Sequence, residues 1–162
     1  GTGYAAVQLA KTFGATKVVT AAGHDDGVNF VKSLGADIAV DYHTASVFDA
    51  VPDGSVDFFF DNLGVDTDQA LKKLKSPGGI FVGIVNPIVS SHKNGIHLMF
   101  YYVWSDDQLQ IMADMLDNLA NQVDSGKFKT FVDRTYDLDH IKDAYHLLFV
   151  EGNLKSRIGV IP

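Results

Sequence analysis

A chain of 162 residues, 46% hydrophobic and 20% charged, is long enough to bury a core and short enough to be one domain. A formal net charge of −7 with no offsetting basic cluster repels phosphates and anionic headgroups, so nucleic acid and membrane surfaces are disfavoured as partners and a small molecule is favoured. Cysteine is absent, which excludes disulfide frameworks and thiolate metal sites, and with neither a leader-like segment nor an apolar run of spanning length the expected compartment is the cytoplasm.

In chain order, Gly1-Thr2-Gly3 runs straight into Tyr4-Ala5-Ala6-Val7-Gln8-Leu9-Ala10-Lys11 and reads as the second half of a dinucleotide-binding glycine turn opening a helix. A complete turn needs a strand and a first glycine ahead of it, so the sequence is expected to start inside that motif. Ala6, Leu9, Ala10 and Phe13 share one helical face, and Gly14 suits a left-handed stop. Lys17 to Ala21 reads as a short buried strand. Asp25 to Leu34 places Val28, Val31 and Leu34 on one side of a helix ending at Gly35, and Ile38 to Val40 is the next strand.

Val56 to Phe60 follows as the most apolar strand, then a helix from Asp66 to Leu74 with Ala70, Leu71 and Leu74 inward, closed by Pro77-Gly78-Gly79. Ile80 to Ile84 is another strand. Ile96 to Val103 is an aromatic one, read as an apolar edge that wants a partner. Asp106 to Val123 is a long helix with Leu109, Met112, Ala113, Leu116, Leu119, Ala120 and Val123 inward. Thr130 to Tyr136 alternates as a half-buried strand, Asp139 caps a helix carrying Ile141, Ala144, Tyr145 and Leu148, and Arg157 to Ile161 is the last strand. Alternating strands and helices, with strands reading as continuous apolar runs, predict an α/β fold: a doubly wound parallel sheet with helices on both faces.

The runs GTGYAAVQLAKTFGA, VKSLGADIAVDY, VDFFFDNLG, LKSPGGIFVGI and DSGKFKTFVDRTYDLDHIKDAYH, in that order, resemble successive signature segments of the medium-chain dehydrogenase/reductase superfamily, most closely its quinone oxidoreductase-like branch, also called zinc-binding dehydrogenases. The resemblance covers nearly the whole chain. It implies a Rossmann-type NAD(P)-binding domain over residues 1–128, without its first strand, and a tail over 129–162 that returns to an N-terminal catalytic domain outside this sequence. It also implies a parent enzyme that passes hydride from NADPH to an electron-poor acceptor such as a quinone or an α,β-unsaturated carbonyl. The alternatives are the cofactor domain of a zinc-dependent alcohol dehydrogenase and a non-catalytic dinucleotide-binding or dimerisation module. In the superfamily the strand corresponding to Ile96–Val103 pairs across a two-fold axis, which implies a homodimer.

The backbone N–H groups of Thr2 and Gly3, beside Gly1, would receive the pyrophosphate at the positive end of the first helix, although a plain tight turn reads the same way. Gly23 and His24 end the strand where a carboxylate would hold the ribose 2′-hydroxyl of NAD; with none there, NADP is favoured over NAD. Gly27 stands where the family has a lysine, and Asp25 and Asp26 either serve a ribose or cap the helix. The lack of a carboxylate at Gly23 also disfavours a methyltransferase-like domain. Tyr42 matches a family tyrosine near the adenosine phosphate. Asn62, Leu63 and Gly64, or a plain Asx turn, follow one strand, while Gly83, Ile84, Val85, Asn86 and Pro87 follow the next and would flank the nicotinamide. No catalytic residue is assigned. His24, His43, His92, His97, His140 and His146 are spread without metal-ligand spacing, so no metal site is expected within the chain.

Overall fold

Helices and strands alternate as the periodicity predicts in the structure, a computed structural model that describes residues 1–64, 67–85, 91–93, 96–100, 106–151 and 157–161. The order is α1 (Thr2–Thr12), β1 (Val19–Ala22), α2 (His24–Ser33), β2 (Ile38–Asp41), a 3-10 turn (Val47–Ala50), β3 (Phe58–Asp61), α3 (Thr67–Lys73) and β4 (Ile80–Gly83). Then come β5 (Ser91–Lys93), β6 (Ile96–Phe100), α4 (Asp106–Asp124), β7 (Val132–Asp137), a 3-10 turn (Leu138–His140), α5 (Ile141–His146), a π turn (Leu147–Glu151) and β8 (Arg157–Ile161). Gly14 and Gly35 adopt φ of +89° and +108° just past α1 and α2, the left-handed conformation that ends a helix at little steric cost.

Hydrogen bonding divides the described strands into three sheets: β1-β2, β3-β4-β6-β5 and β7-β8. Every pairing is parallel except β5 with β6. The aromatic strand β6 is therefore no edge. It lies between β4 and β5, and the outer position belongs to Ser91-His92-Lys93, too short and polar to carry a period that sequence reading can detect. Residues 101–103 of the expected strand lie outside the described residues.

Aromatic stacking builds the core. Phe81 of β4 has no exposed surface, and its ring lies 5.6 Å from that of Phe59, which in turn lies 6.0 Å from that of Phe48. Ala70 and Leu74 close the cluster from α3 and its end, as their spacing predicts, and Val56 reaches Leu74 through an isolated bridge. Phe48 arrives on the Val47–Ala50 turn, unforeseen in the sequence, whose start is capped by the Ser46 hydroxyl accepting the Phe48 N–H. A second cluster sets Tyr4 edge-on to Phe131 at 5.8 Å and Phe30 edge-on to the same ring at 5.3 Å. Beside it the buried Gln8 amide donates to the Lys129 carbonyl at 3.1 Å and accepts the Lys129 N–H at 2.8 Å, fastening the start of the β7 segment to α1.

Several expected inward faces are corrected. In α1 the buried side chains are Val7 and Gln8, while Phe13 is exposed. Leu109, Met112, Leu116 and Val123 of α4 are exposed, as are Ile111 and Met115 on its other sides. Phe58 and Ile80, paired across β3 and β4, are also exposed, so this end of the sheet carries an uncovered face among the described residues. Asp139 is not a cap: it lies inside the Leu138–His140 turn, and His140 holds the N-cap position of α5 without a side-chain bond.

Candidate functional site

In parallel α/β sheets the loops that leave the carboxyl ends of the strands form the ligand crevice. Here β1 and β2 end in register, Ala22 against Asp41, and deliver Gly23-His24 and Tyr42-His43 to one place. Similarly, β3 and β4 end with Asp61 against Gly83 and deliver Asn62-Leu63-Gly64 and Ile84-Val85 to another. Both pairs continue one step past the strands, with the Tyr42 N–H donating to the Ala22 carbonyl at 3.2 Å and the Ile84 N–H to the Asp61 carbonyl at 3.1 Å.

Three groupings of the expected cofactor residues result. Gly3, in the first turn of α1, faces the β3 loop closely enough that a Cβ on it would stand 3.6 Å from Asn62 Nδ2. A Cβ on Gly64 would meet Val85 Cγ1 at 3.4 Å. At Gly23 the approach is tighter, with a Cβ placed 2.8 Å from Tyr42 Oη and 3.1 Å from His43 Cε1, so only glycine leaves the cradle undisturbed. Leu63, Ile84, Val85 and Tyr42 are exposed there, apolar or aromatic surface standing open at the strand ends. Thr2 and Gly1 lie exposed at the amino end of α1, where N–H groups lack intrahelical partners. Asn86 and Pro87 lie outside the described residues.

Asp61 organises the β3 loop. Its buried carboxylate accepts the N–H groups of Leu63 and Gly64, both at 2.9 Å, which is the Asx turn that the sequence admits at this point. That turn and a ligand-facing role for Asn62 are compatible, because the bonds fix the backbone and leave the Asn62 amide beside Gly3.

Two features escaped the sequence. Arg157, the first residue of β8, comes beside the glycine turn: a Cβ on Gly1 would stand 3.2 Å from its Nε, bringing a cation to the position assigned to a pyrophosphate. A lone basic residue opening a distant strand carries no sequence signal for this. The second is a correction to the reading of the histidines as scattered. His24, Asp41 and His43 are brought together, with one donor atom from each lying within 4.8 Å of the others. His43 Nδ1 is 2.8 Å from Asp41 Oδ1, and the His43 ring stacks between those of His24 at 4.3 Å and Tyr42 at 4.2 Å. The His43 backbone N–H, then its ring, hold the Asp41 carboxyl below the usual carboxylate range.

Strand ends carrying close-approach glycines, an unpartnered helix amino end and an Asx-ordered loop define the architecture of dinucleotide-binding α/β domains. The chain belongs to the zinc-binding dehydrogenase family, whose family model matches residues 34–152. It is 33% identical over 153 residues to the 2-methylene-furan-3-one reductase of Solanum lycopersicum, covering 91% of this chain and 34% of that protein. It is 32% identical over 151 residues to the NADPH-dependent alkenal/one oxidoreductase, chloroplastic, of Arabidopsis thaliana, covering 91% of this chain and 35% of that protein. Among solved structures it is similar to a quinone oxidoreductase of Pseudomonas syringae pv. Tomato DC3000, with a TM-score of 0.77, 25% identity, and coverage of 99% of this chain and 53% of that one. The chain thus spans between a third and just over half of the length of these proteins. No helix among the described residues is long and apolar enough to cross a membrane.

Proposed function

We propose that this chain is the cofactor-binding part of an NADPH-dependent reductase acting on electron-poor acceptors of the quinone or enone class. The observation that carries the reading is the delivery of Gly23, Tyr42, Asn62, Gly64 and Val85 to the carboxyl ends of β1 to β4, with Gly3 packed against the same β3 loop. Relatives whose names specify an alkenal/one oxidoreductase and a furanone reductase support the acceptor class. The N–H groups of Thr2 and Gly3, with Arg157 alongside, hold the pyrophosphate. Gly23, His24 and Tyr42 take the adenosine end, and Asn62 to Gly64 with Gly83 to Val85 orient the nicotinamide side. Bound there, the reduced dinucleotide supplies hydride. The chain supplies position.

NADP is preferred because the residue leaving β1 is Gly23, which offers no carboxylate to repel a 2′-phosphate. Asp25 and Asp26 sit in the first turn of α2, where their charge complements the helix dipole. Titration of the purified chain with NADPH and with NADH, followed by nicotinamide fluorescence, is expected to show NADPH binding at least tenfold tighter, without turnover of an added quinone. Equal affinities would remove the NADP preference, failure to bind either dinucleotide would remove the cofactor reading, and sustained quinone-dependent oxidation would show that this part suffices for catalysis.

Homodimerisation belongs to the same proposal, now moved outward by one strand. Because β6 is already paired on both sides, a second copy would add at the edge of β5 that is unpaired among the described residues, extending β3-β4-β6-β5 into one sheet across a two-fold axis. Ser91→Pro and His92→Pro each remove one N–H of β5, and because neighbouring N–H groups face opposite sides of a strand, one of the two is expected to strip the outer edge and shift sedimentation toward monomer. A wild-type chain that sediments as a monomer at high concentration would end this part of the proposal.

A further inference from the structure

We propose that His24, Asp41 and His43 form a binding site for a divalent transition-metal ion of the zinc, cobalt or nickel class. The three residues come from two points of the chain. His24 opens α2, Asp41 closes β2, and His43 follows in the turn beyond it. The in-register parallel pairing of Ala22 with Asp41 carries His24 to the carboxylate side of β2, so the fold adds His24 to the sequence-local pair of Asp41 and His43.

Donor chemistry selects the ion. Two imidazoles and one carboxylate make a mixed nitrogen and oxygen set, matching zinc and its neighbours, whereas calcium and magnesium take oxygen ligands. Asp41 Oδ1 lies 2.8 Å from His43 Nδ1, the carboxylate-to-histidine contact that orients a ring so that its other nitrogen can ligate. Asp41 Oδ1 also accepts the His43 backbone N–H at 3.0 Å, so the direct ligand from Asp41 is its other oxygen. The His24 and His43 rings stack face to face, their centroids 4.3 Å apart and their planes 20° from parallel, which sets both side chains at the same strand end. His24 holds that place with a backbone φ of +59°, the one positive value found for a non-glycine among the described residues.

The donor atoms lie within 4.8 Å of one another, and a tetrahedral ion with bonds of about 2.1 Å needs them roughly 3.4 Å apart. Rotation of the exposed His24 side chain toward the Asp41–His43 pair closes that gap without moving the strands. Exposure also gives an ion a direct path from solvent and leaves a fourth position for water. The inference rests on these three side chains alone and does not depend on dinucleotide binding.

The test is titration of the purified 162-residue chain with Co²⁺ and with Zn²⁺, in the absence of any dinucleotide, by visible absorption and by calorimetry. One ion per chain is expected, with Co²⁺ developing the visible bands of a low-symmetry nitrogen and oxygen site. His24→Ala and His43→Ala should each weaken binding at least tenfold, and Asp41→Asn severalfold. His146→Ala should leave affinity unchanged, since His146 pairs with Glu151 at 3.4 Å in a different part of the chain. Should His43→Ala fail to fold, as judged by circular dichroism, Asp41→Asn keeps the whole ring stack, His24→Gln keeps the Tyr42–His43 half of it, and both still report on the site. Absence of stoichiometric binding, or affinity that survives the His24 and Asp41 substitutions, overturns the proposal.

Discussion

Phe81→Ala is expected to lower the unfolding free energy by about 3–5 kcal/mol, the usual cost of truncating a fully enclosed phenylalanine. Phe81 is wholly buried, stacks on Phe59 at 5.6 Å with the planes 6° apart, and faces Leu74 and Ala70 at the end and middle of α3. Removing its ring opens a void that Phe59 cannot collapse into, because Phe59 is held from its other side by Phe48 at 6.0 Å. Domains of this size carry only about 5–15 kcal/mol in total, so the loss should be visible as a large drop in urea midpoint with an unchanged slope. Phe58→Ala supplies the comparison in the neighbouring strand. Phe58 is 55% exposed, and its truncation should cost under about 1 kcal/mol. Equal losses at the two positions would show that the stack is not the centre of the fold.

The order and type of the elements were legible because each apolar run keeps one period until a glycine or proline breaks it. Ile80 to Ile84 and Arg157 to Ile161 match β4 and β8 to within a residue, and Ala70, Leu71 and Leu74 enter the core as their spacing requires. Burial was less legible. Periodicity tells which residues share a face, but not whether anything covers that face, and the α4 side chains Leu109, Met112 and Leu116 stand exposed on a helix that was read correctly. The misplacement of β6 has a similar cause, since three polar residues give no strand signal although they complete its pairing.

Much of the candidate site was legible for a general reason: residues just after parallel strands must lie at the ligand edge of the sheet. Gly23, Asn62 and Val85 followed from that rule, while Tyr42 came from the family resemblance and lies at the same strand ends. Arg157 and the His24-Asp41-His43 cluster did not, because their proximity depends on how β1, β2 and β8 are placed in space and leaves no trace in residue spacing. Gln8 escaped for the opposite reason. A polar residue on an apolar helix face looks like a solvent position until its partner, the Lys129 backbone, is known.

Gly23→Val is expected to weaken NADPH binding at least a hundredfold while leaving the fold nearly as stable as before. A Cβ at this position would stand 2.8 Å from Tyr42 Oη and 3.1 Å from His43 Cε1, well inside ordinary contact. Both atoms are far ends of exposed side chains, so the structure yields by swinging Tyr42 and His43 outward and not by unfolding. The outward swing breaks up the adenosine side of the proposed cradle, and the valine methyls occupy what remains; a hundredfold loss corresponds to about 2.8 kcal/mol of binding. Gly79 gives the contrast. A Cβ there would meet the Lys75 carbonyl oxygen at 2.6 Å and Leu74 Cβ at 2.9 Å, a backbone group and a core side chain that cannot step aside. Gly79→Ala should therefore destabilise the chain in urea and, where it stays folded, bind NADPH with little change. If Gly23→Val instead unfolds the protein, or binds NADPH as tightly as the wild type, the adenosine end lies somewhere other than between Gly23 and Tyr42.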